Sequence, residues 1–469
     1  MQISIFCIFK SLYHNFFLAT HLTMFSMKDM TQGNITKSII TFAIPMLISS
    51  IFQQLYAVID ALIISRFLGA DALAGVGATG QITFLTLSIA LGMGNGGGLI
   101  ISQCFGAKDN IRLKKTIVSM TYIMIILAVI MSIIGYSFSG YFLKLTKVPE
   151  NVFNYSFTYI RIMFLFAGGV VLFNWGSSIL RSVGDSKTPL FALIASSLVN
   201  IILDLFFIIN LNLGIAGAAY ATVISQFLSG IICLLAALKS GLLDGLKQYP
   251  LPDSRNIKLI IKTSIPSTLQ SCMISLGGIS VQRLINSFGS DVMAGYVAAS
   301  KVDSMAIQVI LSVGNALCVF TGQNIGIKDY DRIKEALKKS RIIMVFCAAS
   351  IAIIAYVFRF DIIKIFIDGN SNPKALFAGA EYLSIVGIAY LICAIMQSYQ
   401  NVIRGAGDVN VCMIAGITEL VGKIAFSYLF APFLGATAIW ISTPFSWACG
   451  CIIPVIHYYG GKWKYKMLQ

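Results

Sequence analysis

Charge is what this chain has least of. Only 11% of its 469 residues are Asp, Glu, Lys or Arg, against roughly 25% in a soluble domain, while 57% are apolar. Most side chains must therefore face lipid or other helices. Histidine is nearly missing: His14, His21 and His457 are scattered, and no HExxH or Cys/His spacing occurs, which excludes zinc chemistry of the usual kinds. The ten cysteines lie mostly inside apolar runs, as Cys104, Cys233, Cys318 and Cys393 do. That is not the spacing of a disulfide framework. No cofactor set and no nucleophile constellation is present, so an enzyme is not expected. The run GMGNGGG (92–98) sits in an apolar stretch and lacks the following Lys-Ser/Thr of a phosphate loop; close helix packing explains it better. No soluble nucleotide-binding domain is present either, which excludes work driven by ATP hydrolysis within this chain.

What the chain has is apolar runs of membrane-spanning length, about 20 residues each. Twelve fit between residues 39 and 459, the fourth near 152–180. The expected architecture is an all-α polytopic membrane protein. Residues 1–37 form an N-terminal cytoplasmic segment, 38–240 an N-lobe of helices 1–6, 241–259 a linker, 260–460 a C-lobe of helices 7–12, and 461–469 a tail. The net charge of +15 comes from loops, so a nucleic-acid partner is not expected. One set of alternate loops holds twenty-four Lys and Arg and the other seven. The positive-inside rule then places both termini in the cytoplasm. Residues 1–26 are apolar but interrupted by Lys10, His14 and His21, without a signal-peptidase site. Met27 opens a polar segment suited to a cytoplasmic start, so translation is expected to begin there; an interfacial segment is the alternative.

The two halves repeat. Pro45 matches Pro266 at an offset of 221. Gly69, Asp71 and Gly75 match Gly289, Asp291 and Gly295 at 220, as do Gln103, Gly106, Lys108, Asp109 and Arg112 with Gln323, Gly326, Lys328, Asp329 and Arg332. RSVGD (181–185) matches RGAGD (404–408), and Leu213-Gly214 matches Leu434-Gly435. Six spans per half enter from the same side, so the lobes should be related by a pseudo-two-fold axis along the membrane normal, with the solute path between them.

Ionisable residues inside spans point to function by default. Asp60 lies in span 1 and Asp204 in span 5. Asn200 precedes Asp204 by one turn on the same face, and Thr222 is in span 6. Two carboxyls in one apolar lobe suit the exchange of protons, or of Na⁺ held by oxygen ligands. Their counterparts at offsets of 220 and 221 are Ser280 and Ala425, so the pair belongs to one half only. The C-terminal half has Lys301 and Asp303 in span 8, two apart and not facing each other, and Glu419 four residues before Lys423 in span 11, the order of an internal ion pair, with a substrate role as the alternative.

Taken together, TQGNITKSIITFAIPMLISSIFQQLYAVID, FLGADALAGVG, SQCFGAKD, ILRSVGDSKTP and LVNIILDLFFI resemble the multidrug and toxic compound extrusion (MATE) family, in particular its DinF-like branch, from Met27 to the C-terminus. The resemblance implies two six-helix lobes around a cavity, and H⁺- or Na⁺-driven efflux of cationic, amphipathic compounds from the cell membrane. It implies that Asp60, Asn200, Asp204 and Thr222 form the coupling site, with Gln53 and Tyr56 lining the same cavity. Lys301 and Asp303 are further cavity candidates. Some members carry acids in spans 7 and 10; this chain has Gln270, Gln282, Gln397 and Gln400 there, so a C-lobe cation site of that kind is not expected. No metal beyond Na⁺ is expected, and the chain is expected to act as a monomer. The runner-up reading is a flippase for a lipid-linked saccharide.

Overall fold

The structure is a computed structural model that describes residues 27–249, 251–367 and 372–466; the expectation about residues 1–26 lies outside them. The N-terminal half comprises α1 (Ile35–Leu68), α2 (Ala70–Gly106), α3 (Asn110–Leu145), α4 (Glu150–Leu165), α5 (Gly168–Ser182), α6 (Lys187–Leu205) and α7 (Ile215–Lys239). The second half comprises α8 (Ser254–Asn286), α9 (Ser290–Gly326), α10 (Tyr330–Val357), the short α11 (Arg359–Lys364), α12 (Pro373–Ala406), α13 (Val409–Leu434) and α14 (Thr437–Tyr459). Ten helices are long and apolar enough to cross a membrane, and α4 with α5, bent by 50°, make an eleventh span. The twelfth is α8, 33 residues long but less apolar, with Gln270 and Gln282 along it. Span 4 is thus broken rather than continuous. The break falls at Phe166-Ala167, immediately before the Gly168-Gly169 pair that opens α5, and such small residues favour a kink.

The internal repeat is a structural one. Gly69 and Gly289 take φ of 89° and 94°, Gly214 and Gly435 take 57° and 60°, and Lys108 and Lys328 take 58° and 60°. A lysine at positive φ is uncommon, so its recurrence marks equivalent backbone. In both halves the next residue caps a helix: Asp109 and Asp329 accept from the amides of Arg112 and Arg332, each at 3.0 Å.

The lobes are joined at the end carrying the basic loops, and the joint is reciprocal. A Cβ on Gly106 would land on the Gln323 carbonyl, and one on Gly326 would land on the Gln103 carbonyl. Gln103 Nε2 donates to Gly405 O at 3.1 Å, and Gln323 Nε2 to Ser182 O at 3.2 Å. Such exchange is what a pseudo-two-fold axis produces. The glycine run of α2 extends the contact upward: Gly92 and Gly96 pack on Thr268 and Ser264 of α8, and Thr263 Oγ1 donates to Gly96 O at 3.1 Å. Residues 28–33 strap the same end. Lys28 N donates to Val183 O at 3.1 Å, Met30 N to Gln323 Oε1 at 2.8 Å, and Arg332 Nη2 to Gly33 O at 2.9 Å.

Toward the other end the lobes part. Eighteen residues make five helical turns, so Leu85 shares a face with Gln103 on α2, and Met305 shares one with Gln323 on α9. Gln103 and Gln323 are 1% and 0% exposed, whereas Leu85 and Met305 are 47% and 57% exposed. The faces that touch at the basic end are bare at the opposite end, and the molecule is a V.

Candidate functional site

The N-lobe gathers its polar residues at one point. Helix α1 presents Gln53, Tyr56 and Asp60 at i, i+3 and i+7, one face of a helix. Helix α6 presents Asn200 and Asp204 one turn apart, and α7 presents Thr222. Asn200, with its amide oriented by its neighbours, donates to Asp204 Oδ2 at 2.7 Å and accepts from Thr222 N at 3.1 Å. Tyr56 Oη and Thr222 Oγ1 lie 3.4 Å apart. The Asp60 and Asp204 carboxyls are within hydrogen-bonding reach of each other. Their Oδ1 atoms are buried with no protein donor among the described residues. Two such carboxylates repel unless a proton or cation lies between them. The donors are hard oxygens, which fit a proton or Na⁺. Gln53 stands exposed one turn away toward the basic end. The four residues expected to couple transport are therefore neighbours in three dimensions, together with Tyr56.

Sequence reasoning missed Tyr159 of α4, which is 6% exposed and turns its hydroxyl to Thr222 and the two carboxyls. A signal existed: Tyr159 recurs as Tyr382 at the offset of 223 that relates RSVGD to RGAGD.

One expected alignment is corrected. After Asp204 the N-lobe helix runs into a π-turn, Phe206–Asn210, whereas α13 continues as α-helix to Leu434. The offset of 223 thus holds through Asp204, and the π-turn and following loop absorb the two extra residues. The counterpart of Asp204 is Ser427, fully buried, not Ala425, and that of Asn200 is Lys423. Both backbone irregularities of this region, the α4–α5 bend and the π-turn, fall in the lobe with the carboxyl pair. Such breaks recur at functional sites.

The C-lobe candidates separate. Lys301 is exposed on the face of α9 that leads down to Gln323 and the other lobe. Asp303, about 200° around the helix, is drawn into the C-lobe, where Tyr382 Oη donates to its Oδ2 at 3.2 Å. Asp303 is therefore not a wall of the cleft. The expected Glu419–Lys423 ion pair is replaced by a wider network. Glu419 Oε1 accepts from Gln400 Nε2 at 3.1 Å, and Gln270 Oε1 accepts from Arg404 Nη2 at 2.8 Å. Lys423 lies within electrostatic reach of Asp303 and Glu419, an amine where the N-lobe has an amide. Lys423→Met is expected to lower the melting temperature in detergent by several degrees, because two carboxylates lose their compensating charge. Lys301→Met, made at an exposed position, should leave it unchanged. Equal melting of the two variants by scanning fluorimetry would remove that role from Lys423.

Two pseudo-symmetric helical lobes around a cleft, with a carboxyl pair enclosed in one of them, define a multi-pass membrane transporter. The comparisons with known proteins agree. The sequence profile of the MatE family matches the chain twice, over residues 45–206 and 266–429, the same repeat found above. The chain belongs to the MATE family of multidrug efflux transporters. It is 30% identical over 437 residues to the probable multidrug resistance protein YpnP of Bacillus subtilis, covering 93% of this chain and 97% of that one. It is 28% identical over 449 residues to YoeA of the same organism, covering 93% and 96%. A crystal structure of MATE in the bent conformation shares the fold, with a TM-score of 0.87 at 22% identity over 95% of this chain and 99% of that one.

Proposed function

We propose that this chain is an ion-coupled antiporter of the cell membrane. It exports cationic or amphipathic compounds, the kind of cargo its multidrug-resistance relatives are named for, in exchange for H⁺ or Na⁺. The observation that carries the reading is the enclosed Asp60–Asp204 pair, each carboxyl with one oxygen lacking a protein donor. An ion arriving there removes the repulsion, and so favours one lobe arrangement over another. The basic loops lie in the cytoplasm in this reading, both termini with them, and the V opens outward, the state that releases drug and admits the ion. The exposed Lys301 on the cleft face favours the second reading, a flippase for a lipid-linked saccharide or another amphipathic metabolite.

The test is efflux of a fluorescent cation from everted vesicles, driven in turn by ΔpH and by a Na⁺ gradient. Uphill movement with one driving ion is expected, and its absence with both would overturn antiport. In whole cells, an impermeant maleimide should label Lys147→Cys and not Lys334→Cys; the reverse pattern would invert the orientation.

A further inference from the structure

A cavity of about 340 Å³ opens at the basic end of the C-lobe. Helix α10 lines it with Lys334, Lys338 and Arg341 at i, i+4 and i+7, a single face. Past α14, Gly461 turns the chain at φ 72°. Trp463, 1% exposed, stacks on Tyr458 at 5.3 Å and so delivers Lys464 to the same cavity. The deeper wall is aromatic: Arg341 Nη1 donates to Tyr399 Oη at 2.6 Å, and Tyr399 and Tyr459 hydroxyls lie 3.2 Å apart. The nearby acids are spoken for. Asp331 pairs with Lys334 at 2.7 Å and Glu335 with Lys339 at 2.6 Å, and no acid pairs with Lys338 or Arg341 within 4 Å among the described residues.

Membrane orientation alone does not explain this cluster. It needs basic residues in loops, not a guanidinium some eleven residues into a helix. The N-lobe makes the comparison, because Val118 and Thr121 occupy the positions of Lys338 and Arg341 at the offset of 220. There Thr121 Oγ1 accepts from Trp175 Nε1 at 3.0 Å. Three residues past the matching turn at Gly241, φ 75°, the N-lobe has Asp244 where the C-lobe has Lys464. One lobe closes this corner with a Thr121–Trp175 hydrogen bond and carries an acid beyond the turn, and the other leaves it open and cationic.

We propose that this cavity binds a phosphate ester: the anion between Lys338, Arg341 and Lys464, its organic substituent against the tyrosines. Arginine and clustered lysines recognise phosphate by charge and directed donors, and basic pockets at the ends of membrane helices suit anionic lipid headgroups. The headgroup of phosphatidylglycerol and a soluble ester such as glycerol 3-phosphate share that chemistry.

The experiment is thermal melting of the full chain in neutral detergent with added phosphatidylglycerol, phosphatidylcholine or glycerol 3-phosphate. Wild type is expected to melt higher with phosphatidylglycerol than with phosphatidylcholine. That shift should be lost in Lys338→Gln/Lys464→Gln and diminished in Lys464→Gln alone, changes at positions outside the transport machinery. It should be kept in Lys114→Gln/Lys115→Gln, which removes equal charge from the N-lobe. The same shift from glycerol 3-phosphate, lost in the same variant, would also support the site and assign it a soluble ligand. No difference between the two lipids with no shift from glycerol 3-phosphate, or equal loss in the N-lobe control, would overturn the proposal.

Discussion

Asp60→Asn and Asp204→Asn are each expected to abolish gradient-driven efflux while leaving the protein folded. The replacements are nearly isosteric, so packing changes little. An Asn at 204 still offers an oxygen to the Asn200 amide, which donates at 2.7 Å in the native site. What disappears is the charge. In the native site two carboxyls meet in a lobe where few other groups can compensate them, and the energy of that meeting depends on whether an ion is present. Moving a two-state equilibrium from 1:99 to 99:1 takes about 5.5 kcal/mol of differential binding. Loading a cation between two carboxylates that otherwise repel supplies differential binding of this kind. With one carboxyl replaced by an amide, the empty site is no longer strained and the ion no longer discriminates between lobe arrangements. Drug binding can survive; uphill movement cannot. Expression, substrate binding and ΔpH- or Na⁺-driven efflux measured on one vesicle preparation check this. Near-wild-type uphill efflux by both variants would show the pair to be architectural.

The sequence carried the fold where physics leaves a linear trace. Apolar runs mark spans because a helix in lipid must be apolar along its length, and the repeat shows as a near-constant offset because turns such as Lys108 and Lys328 need the same backbone. The charge of α8 blurred its signal without hiding it, since its repeat partner α1 located it. Two features left fainter traces. The α4–α5 bend lies inside an uninterrupted apolar run, and only Gly168-Gly169 hints at it. The π-turn after Asp204 shows only as a drop in offset from 223 to 221, and Lys423 is seen as the counterpart of Asn200 only once that drop is placed. The carboxyl pair was legible because charge in a span is rare. Tyr159 was not, because tyrosine in a span is ordinary. The strap at Lys28–Gly33 was not legible either, since it acts through backbone groups that any polar sequence supplies.

Gly106→Leu is expected to stop transport by a different route, by preventing the basic end from closing. A Cβ at Gly106 would land on the carbonyl of Gln323. That atom is backbone, in the last turn of a 37-residue helix, so no rotamer change relieves the clash. The pseudo-two-fold axis places the mirror contact, Gly326 on Gln103, beside it, and the helices can yield only by moving the lobes apart. Overpacking typically costs 1–3 kcal/mol, and about 3 kcal/mol would depopulate the sealed state more than 100-fold. The strap limits how far the lobes part, because Lys28 bonds to Val183 of the N-lobe while Met30 bonds to Gln323 and Arg332 of the C-lobe, but none of these bonds is to α2, which can still shift away from α9. The variant should therefore fold, bind substrate from the basic side, and fail to complete the cycle. Spin labels at Lys114→Cys and Lys334→Cys, equivalent positions in the two repeats, report the distance across this end. In wild type a short distance should dominate; in Gly106→Leu a longer one should, with Gly106→Ala between them. A distance distribution unchanged by the leucine, with transport intact, would mean that the glycine contact is not the seal.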